Sequence, residues 1–509
     1  MSEITTKSVS RFIYDQKGLT GFIKPEEKAL QVIREIVENS LDSCEKVKVL
    51  PEIVIQINKQ SEYYSVQAVD NGSGVKDEDI PLAFGTMLAS SKYSNVQSRG
   101  LFGIGIKNVL LHAQVSTNKP YLVASSTSKV GKVSYYELMM DIEQNKPIIL
   151  NHEIRSNRHY WQGLGLSFTI GGVDFEKAEK DILTYLKQTT IVAPHAKITF
   201  ILGEKKYEFE RKIKEVPEPP RETSPHPYDI DPLDMKKMIE NTKYETLLEF
   251  FTKTFYGVGR LTAERFFKFA KLDPNINPKT LNHDQIIYLI NMMNKFDGWR
   301  PPAKESLSPI GEKAFIAGVK SVYPESVIDF ITYSSRTDVF GGSPFAVEVV
   351  CVLLKGRVEE GKDNITVWRY VNKIPLIYQY KSCLLSQVVY DQPLKHYKIE
   401  PTMPIVFHVH LCTSSKRTLF KDLTKGIIAD IPEIRRALDL TIKDCLRDVE
   451  DFILHREKFE EHKKRMSRFQ IYSRIISEHL AKITKHDKIM IEQLISDVLG
   501  LGEENVSNQ

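Results

Sequence analysis

Apolar residues recur at helical spacing near the start of the chain. Four of them lie three or four positions apart and predict an amphipathic helix over residues 26–44. These four are Leu30, Ile33, Val37 and Leu41. Runs rich in β-branched and aromatic residues predict strands, and a second helical pattern covers 177–189. The predicted strands are 52–58, 64–69, 121–124, 133–140, 166–170 and 197–202. Helices and strands mixed in this way indicate an α+β domain.

Two proline clusters interrupt this pattern between Val216 and Tyr228, and such clusters are typical of a linker or domain boundary. Beyond them the pattern is helical, then mixed, then helical again. The first helical region covers 233–299, the strands of the mixed region are predicted at 345–354 and 365–371, and a long charged helix is predicted over 431–475.

Composition limits the class of protein. A chain of 509 residues holds about three domains of ordinary size. The formal net charge of +4 is small for this length, so any nucleic-acid contact must be regional. The five cysteines form no CxxC pair, which argues against a zinc site or a disulfide scaffold. No apolar run approaches the length of a membrane span, and the first residues form no signal segment. We therefore expect a soluble intracellular protein without a membrane partner.

The first candidate motif lies on the early predicted helix. Glu35, Asn39 and Asp42 are spaced i, i+4 and i+7, so their side chains share one face. An amide oxygen can bind a hard cation such as Mg²⁺, and a carboxylate one turn away can polarise an attacking water. A solvated acidic helix face explains the same residues without any chemistry.

Two glycine-containing segments add further candidate chemistry. Asp70 follows a predicted strand and precedes Gly72 and Gly74, so it could accept a hydrogen bond from the exocyclic amine of a flat base. A turn explains this segment equally well. Residues 100–107 form a GxxGxG pattern that runs into a predicted helix, so backbone N–H groups and Lys107 could face phosphates. The pattern matches neither the P-loop nor the Rossmann fingerprint, and a glycine-rich surface loop is the alternative.

The order of these three motifs resembles the Bergerat ATP site of the GHKL superfamily, which includes gyrase B, large heat-shock chaperones, histidine kinases and MutL repair proteins. The resemblance implies that Glu35 is the general base for hydrolysis. It implies that Asn39 coordinates Mg²⁺ and that Asp70 recognises the adenine amine. It also implies that residues 100–107 form a flexible lid over the phosphates. ATP and Mg²⁺ are the implied cofactors.

Other segments resemble one family within that superfamily, the B subunits of the type IIB DNA topoisomerase (topoisomerase VI). The similar segments are 81–85 with 90–93 (PxAFG and SSKY in that family), 225–228 (KPHPYG), 306–312 (SLSxIGE), 369–378 (RYANKIPLIY) and 408–412 (VHLCS). The resemblance runs from about residue 20 to about residue 460.

This second resemblance implies further site residues. It implies that Ser91 and Lys92 lie at the nucleotide. It also implies that Lys373 is a switch lysine, which reaches the γ-phosphate from the second mixed region and couples the two regions. A solvated lysine is the alternative for both cations. Glu35 and Lys373 are the implied catalytic residues, and the implied ATP-binding residues are Asn39, Asp70, Gly74, Ser91, Lys92, Gly100, Leu101, Phe102, Gly103, Ile104, Gly105, Ile106, Lys107 and Lys373.

The resemblance also implies an α+β fold in four parts. These are a GHKL (Bergerat) ATPase domain with an N-terminal strap at 1–222, a small helical helix-two-turn-helix-like domain at 226–305, an α/β transducer domain with a long helix at 306–466, and a C-terminal segment contacting the topoisomerase VI A subunit at 467–509.

The implied function is that of the ATPase component of topoisomerase VI. Two copies would dimerise on binding ATP and capture a segment of double-stranded DNA. Hydrolysis would then drive strand passage through a double-strand break made by the A subunit, in an A2B2 heterotetramer. The resemblance implies a cytoplasmic, nucleoid-associated protein of a prokaryote, an archaeon in particular. The alternatives are a GHKL chaperone or repair-type clamp without a cleaving partner, and a non-catalytic scaffold.

Position 164 and two alternating histidines lead to further expectations. The family has a threonine where this chain has Leu164, and that hydroxyl assists the adenine-binding aspartate, so we expect either a water at Gly165 or weaker base recognition. His408 and His410 alternate along a predicted strand without a third ligand nearby in sequence, so we interpret them as sheet residues and not as a metal site.

Overall fold

The computed structural model describes residues 8–15, 24–89, 97, 99, 104–302, 304–359, 362–377, 382–415 and 427–498. These residues divide into two compact units, one within residues 1–392 and 402–445 and the other within 393–401 and 446–509. Within the described ranges, no helix is both long enough and apolar enough to cross a membrane.

An eight-stranded sheet organises the first part of the larger unit. Its strand order is β5-β4-β3-β6-β2-β1-β7-β8, and every neighbouring pair is antiparallel except β1 with β7. The elements are α1 (Val9–Asp15), α2 (Pro25–Lys46), β1 (Glu52–Gln60), β2 (Tyr63–Val69), α3 (Ile80–Gly85), α4 (Gly105–Thr117), β3 (Tyr121–Ser126), β4 (Lys132–Asp141), β5 (Lys146–Ser156), β6 (Gly163–Gly171), α5 (Phe175–Val192), β7 (Lys197–Leu202) and β8 (Lys205–Phe209).

The helix predicted over 26–44 is confirmed as α2, which packs against α4 and α5. Its apolar stripe is buried, whereas Glu35, Asn39 and Asp42 stay partly exposed on another face. The strands predicted in this region are confirmed. The sequence pattern does not predict β5, because nearly all the residues of this strand are exposed and no alternating burial marks it. It lies at the edge of the sheet and pairs with β4.

Four helices follow the proline-rich segment, in the region where the sequence predicts helices, and an aromatic core holds them together. They are α6 (Pro232–Glu240), α7 (Leu247–Thr254), α8 (Arg260–Ala270) and α9 (His283–Lys295). Gly257 adopts φ +69° in the turn between α7 and α8, and the neighbouring Val258 is buried in that core. This turn therefore has a packing role. The core contains Phe250, Phe251, Phe266, Phe267 and Trp299.

A five-stranded sheet with order β12-β11-β13-β10-β9 organises the next part, and only β11 and β13 are parallel. Its elements are α10 (Glu312–Lys320), β9 (Ile328–Phe340), β10 (Ser343–Leu354), β11 (Ile365–Val371), β12 (Ile374–Pro375), α11 (Leu384–Tyr390) and β13 (Ile405–Thr413). Helix α10 approaches α5 so closely that a Cβ at Gly318 would overlap the carbonyl of Ile191. The two sheets are therefore linked through tightly packed helices.

Among the described residues beyond the second sheet there are two helices, α12 (Pro432–Thr484) and α13 (Lys488–Val498). Helix α12 has 53 residues, which corresponds to a length of about 80 Å. The long helix predicted over 431–475 is thus confirmed and extends nine residues further, to Thr484.

Candidate functional site

Asp70 lies at the end of β2, in the middle of the first sheet, with 4% of its surface exposed. Its Oδ1 accepts hydrogen bonds from the backbone N–H groups of Gly72 (2.9 Å) and Leu164 (3.1 Å). Its Oδ2 accepts one from the Ser40 hydroxyl at 2.9 Å. Burial raises the pKa of Asp70, although these donors favour the charged form. A carboxylate offers about four acceptor positions, so three donors leave room for one more, such as an exocyclic amine.

Leu164 does supply a donor to Asp70, through its backbone and not through its side chain. The N–H of Asp70 also donates to the Leu164 carbonyl at 2.9 Å, which continues the pairing of β2 with β6. A hydroxyl does reach Asp70, from Ser40 on α2, and the expectation of a water at Gly165 or weaker base recognition stays a prediction. Ser40 stands beside Asn39 in the first motif, but nothing in its spacing indicates a contact with a residue thirty positions away.

Glu35 and Asn39 lie one turn apart on α2, as predicted. Gln31 donates from Nε2 to Glu35 Oε1 at 2.6 Å, which orients the carboxylate. Asn39 donates from Nδ2 to the Glu35 carbonyl at 2.6 Å, which orients the amide and so fixes the side of its oxygen. Both side chains are partly exposed. A carboxylate and an amide oxygen held in this way suit a water and a hard cation respectively.

Two glycines allow close approach at this site. Gly74 has φ +63°, and a Cβ there would overlap the carbonyl of Ser126. Gly105 is the first residue of α4, and a Cβ there would overlap the carboxylate of Glu35. Glu35 therefore lies against a helix N-terminus, where backbone N–H groups and the helix dipole favour anions. Helix α2 thus contacts Asp70 through Ser40, and its Glu35 lies against the start of α4.

Lys107 follows on the first turn of α4 and is 3% exposed. Its ammonium donates to the Ala89 carbonyl, and burial lowers its pKa to about 8. In this structure Lys107 is thus a buried cation on the first turn of α4, bonded to a backbone carbonyl. Its contact with a phosphate stays a prediction. Ile104 and Ile106 flank Gly105 and are partly exposed.

Lys373 belongs to a buried cluster of charged groups. Arg99 donates to both carboxylate oxygens of Glu45, at 3.0 and 2.7 Å, and to Asp42 Oδ1 at 3.0 Å. Lys373 Nζ lies 3.7 Å from Glu45 Oε2, and His195 Nε2 lies 3.1 Å from Glu45 Oε1. Burial would raise the pKa of Glu45, but Arg99, Lys373 and His195 outweigh it and hold that pKa well below its ordinary value.

The same cluster joins the two sheets. Lys373 Nζ donates to Ser308 Oγ at 2.9 Å. Gln97 Oε1 accepts from the Ser308 N–H at 2.6 Å, and Cys412 Sγ donates to the same oxygen at 2.8 Å. Glu45 lies ten residues after Glu35 on α2, or about 15 Å along the helix axis. The structure therefore places Lys373 next to Glu45 and not next to Glu35. Six predicted site residues, Ser91, Lys92, Gly100, Leu101, Phe102 and Gly103, lie outside the described residues.

Both sheets of this chain are similar to known protein families. The family model described as "Histidine kinase-, DNA gyrase B-, and HSP90-like ATPase" matches residues 28–161, which hold Glu35, Asn39 and Asp70. The model described as "Topoisomerase VI B subunit, transducer" matches residues 302–465, which hold Lys373. The B subunit of type 2 DNA topoisomerase 6 from Pyrobaculum aerophilum is 34% identical, over 94% of this chain and 90% of the relative. The chain belongs to the topoisomerase 6 B-subunit family.

Two further B subunits agree with this assignment. The B subunits of Saccharolobus islandicus and Sulfurisphaera tokodaii are each 33% identical, over 94% and 97% of this chain and 90% and 93% of the relatives. The ATPase region of Saccharomyces cerevisiae topoisomerase II bound to ICRF-187 (dexrazoxane) matches 84% of this chain and 85% of its own, at 12% identity and a TM-score of 0.40. In the topoisomerase 6 B-subunit family the first sheet is the GHKL-type ATPase domain and the second is the transducer, so the predicted fold class is confirmed.

The two histidines of β13 are sheet residues within the transducer. His408 Nδ1 lies 3.0 Å from the Tyr370 hydroxyl, and burial lowers the pKa of His408 to about 3. His410 Nδ1 lies 2.7 Å from Glu348 Oε2. Among the residues that the structure describes, no group of three or more His, Cys, Asp or Glu side chains could hold a metal ion.

Proposed function

We propose that this chain is the ATP-hydrolysing subunit of a type IIB topoisomerase and that it couples ATP turnover to the passage of one DNA duplex through another. One observation carries the proposal. Helix α2 contacts the buried Asp70 through Ser40, and the same helix carries the oriented Glu35 and Asn39, with Glu35 against the N-terminus of α4. Family membership supplies the setting, because the relatives are named as B subunits of type 2 DNA topoisomerase 6.

The residues of this region fit an adenine nucleotide with a divalent cation. Asp70 would accept the hydrogen bond of the adenine amine, and Gly74 would let the base approach the backbone. Asn39 would hold Mg²⁺ through its amide oxygen, and the start of α4 would face the phosphates. When bound, Mg²⁺ neutralises charge on the phosphates. Glu35, held by Gln31, would polarise the attacking water as general base.

The proposed roles of the remaining predicted residues rest on the family resemblance. Ser91, Lys92 and the lid residues 100–107 would bind the phosphates and cover them. Lys373 would contact the terminal phosphate. To do so, it must exchange its contacts with Glu45 and Ser308 for that contact, because in this structure its ammonium is held by those two groups. A lysine that alternates between these two sets of contacts can transmit the state of the nucleotide from one domain to the next.

The proposed domain boundaries are 1–222, 226–305, 306–466 and 467–509. The last segment would contact the DNA-cleaving topoisomerase VI A subunit in an A2B2 heterotetramer, and self-dimerisation on ATP would capture double-stranded DNA. Exposed apolar side chains on α12 and α13 support a docking role, since exposed apolar residues clustered within one segment are typical of an interface. They include Ile471, Tyr472, Ile475, Ile483, Ile489 and Leu494.

The test is relaxation of supercoiled DNA by the purified chain combined with the cleaving subunit. We expect relaxation that depends on ATP, and we expect Glu35→Ala to lower ATP hydrolysis by about a hundredfold or more. Glu27→Gln on the same helix provides a control, because Glu27 pairs with the exposed Lys24 at the start of that helix. Relaxation without ATP, or normal ATP turnover by Glu35→Ala, would refute the proposal. ATP hydrolysis without relaxation would favour a repair-type or chaperone-type clamp instead.

A further inference from the structure

Lys373 is held in an unusual backbone conformation. The hairpin between β11 and β12 has a two-residue turn, in which Asn372 has φ +49° and Lys373 has φ +64°. Turns of this kind favour Asn followed by Gly, because both central residues have positive φ. Lysine at the second position costs backbone strain, which persists only where surrounding contacts fix it.

Asn372 is held by Leu411 and Thr413 of β13, and the contact that holds the backbone of Lys373 itself comes from a histidine of the same strand. The backbone N–H of Lys373 donates to Nε2 of His410 at 3.0 Å. On the other side of the same ring, His410 Nδ1 lies 2.7 Å from Glu348 Oε2. Because Nε2 accepts a hydrogen bond and Glu348 is a carboxylate, the consistent tautomer is a neutral imidazole that donates from Nδ1. Both side chains are almost fully buried, at 0% and 1% exposure. The imidazole therefore connects a fixed carboxylate to the backbone of Lys373.

Glu348 accepts hydrogen bonds from three other groups besides His410. Its oxygens accept from the N–H groups of Ile310 at 2.8 Å and Gly311 at 2.7 Å, and from the Tyr333 hydroxyl at 2.9 Å. Burial raises its pKa, but the bond from His410 and the two backbone donors outweigh it, so the pKa of Glu348 lies below its ordinary value. Ile310 and Gly311 follow Ser308, whose hydroxyl accepts from the Lys373 ammonium. One carboxylate thus contacts both the histidine that bonds the backbone of Lys373 and the loop that receives the lysine side chain.

We propose that His410, oriented by Glu348, is a positioning residue for Lys373. It keeps the strained turn in the one geometry from which the lysine side chain can alternate between Glu45 with Ser308 and the terminal phosphate. The inference rests on the proposed role of Lys373 in sensing nucleotide. It adds two buried residues of the transducer interior to the set that controls hydrolysis.

His408 provides a matched control within the same strand. It lies two positions before His410, is equally buried, and faces Phe315 in the same edge-to-face manner as His410. Its Nδ1 bonds the hydroxyl of Tyr370 and not the turn at Lys373. Replacing either histidine removes a buried ring from β13. Only replacement of His410 removes the acceptor for the Lys373 N–H.

The test compares His410→Asn with His408→Asn in the full chain assembled with the cleaving subunit. Asparagine can place a donor near the former Nδ1 but cannot reach the former Nε2 position. We expect kcat for ATP hydrolysis to fall about ten- to hundredfold in His410→Asn, with little change in KM, because a small misplacement of a positioned group costs rates of that order. His408→Asn should keep kcat within about threefold of the wild type once folded protein is compared. His410→Gln, which can reach the Nε2 position, should recover part of the loss.

A double variant separates positioning from a general structural role. On a Lys373→Met background, His410→Asn should cause no further loss of kcat, because the group that it positions is gone. An additional loss on that background, or equal effects of His410→Asn and His408→Asn, would overturn the inference while leaving the function of Lys373 intact. If Lys373→Met itself hydrolyses ATP normally, the proposed role of Lys373 is wrong, and the inference about His410 is refuted with it.

Discussion

Glu45→Gln is expected to weaken the junction between the ATPase domain and the transducer. Glu45 accepts hydrogen bonds from both terminal nitrogens of Arg99 and lies near Lys373 and His195. The substitution keeps the size of the side chain and removes one negative charge. Arg99 then retains Asp42 as a carboxylate partner at this cluster, and Lys373 retains Ser308.

The expected loss in the free energy of unfolding follows from the burial of the charged side chains. The side chain of Arg99 is 3% exposed and that of Glu45 is 11% exposed, so solvent screens neither charge well. Removing one partner of a buried ion pair typically costs about 3–5 kcal/mol, because the other charge stays buried without full compensation. Since Asp42 still faces Arg99, we expect the lower end, about 3 kcal/mol in the free energy of unfolding.

The dependence on pH supplies a second measure. The folded-state pKa of Glu45 lies well below its unfolded value of about 4.3, so the unfolded state binds more protons as the solution is acidified. The contribution of Glu45 is therefore complete above about pH 4.3 and is lost as pH falls through the folded-state pKa. The difference in stability between wild type and Glu45→Gln should be constant near neutral pH and should shrink in acid.

The assay is denaturant unfolding followed by circular dichroism, at several pH values. Glu176→Gln is the matched control, because Glu176 pairs with Lys59 at 2.7 Å with both side chains about half exposed. Exposed pairs of this kind contribute little, so this control should unfold like the wild type. If Glu45→Gln also unfolds like the wild type, the cluster does not stabilise the junction and the reasoning is wrong.

Three further predictions concern the nucleotide region. Asp70→Asn should weaken ATP binding about ten- to hundredfold in titration calorimetry, because the amide nitrogen cannot accept from the donors that now surround the carboxylate; unchanged affinity would contradict its role. Gly105→Ala should lower kcat for ATP hydrolysis, since its Cβ would displace the carboxylate of Glu35, and an active variant would show that Glu35 does not need its position. Lys107→Met should raise the free energy of unfolding at pH 7, because the folded protein must bury the charged form of a lysine whose folded-state pKa is about 8. This gain should disappear as the pH rises from about 8 towards the pKa of lysine in the unfolded chain, about 10.4.

The sequence by itself determines the local elements and the order of the motifs. The apolar spacing in α2 and the run of β10, which is apolar from Phe345 to Leu354 except for Glu348, reflect the burial of each element along its own length. Both elements are predicted within a few residues. Strands β5 and β9 are not predicted. Each lies at the edge of its sheet, where exposure on both faces removes the alternating pattern.

Only the tertiary structure decides which side chains meet. Ser40 contacts Asp70 across thirty residues of sequence, and His410 contacts Glu348 across sixty-two. Lys373, which the family resemblance assigns to the phosphate, lies beside Glu45 instead. Periodicity along a chain records the burial of each residue but not the identity of its neighbour, because distant segments are brought together by the packing of whole sheets and helices. The charge and hydrogen-bond partners of the site therefore become visible only when the two sheets are in place.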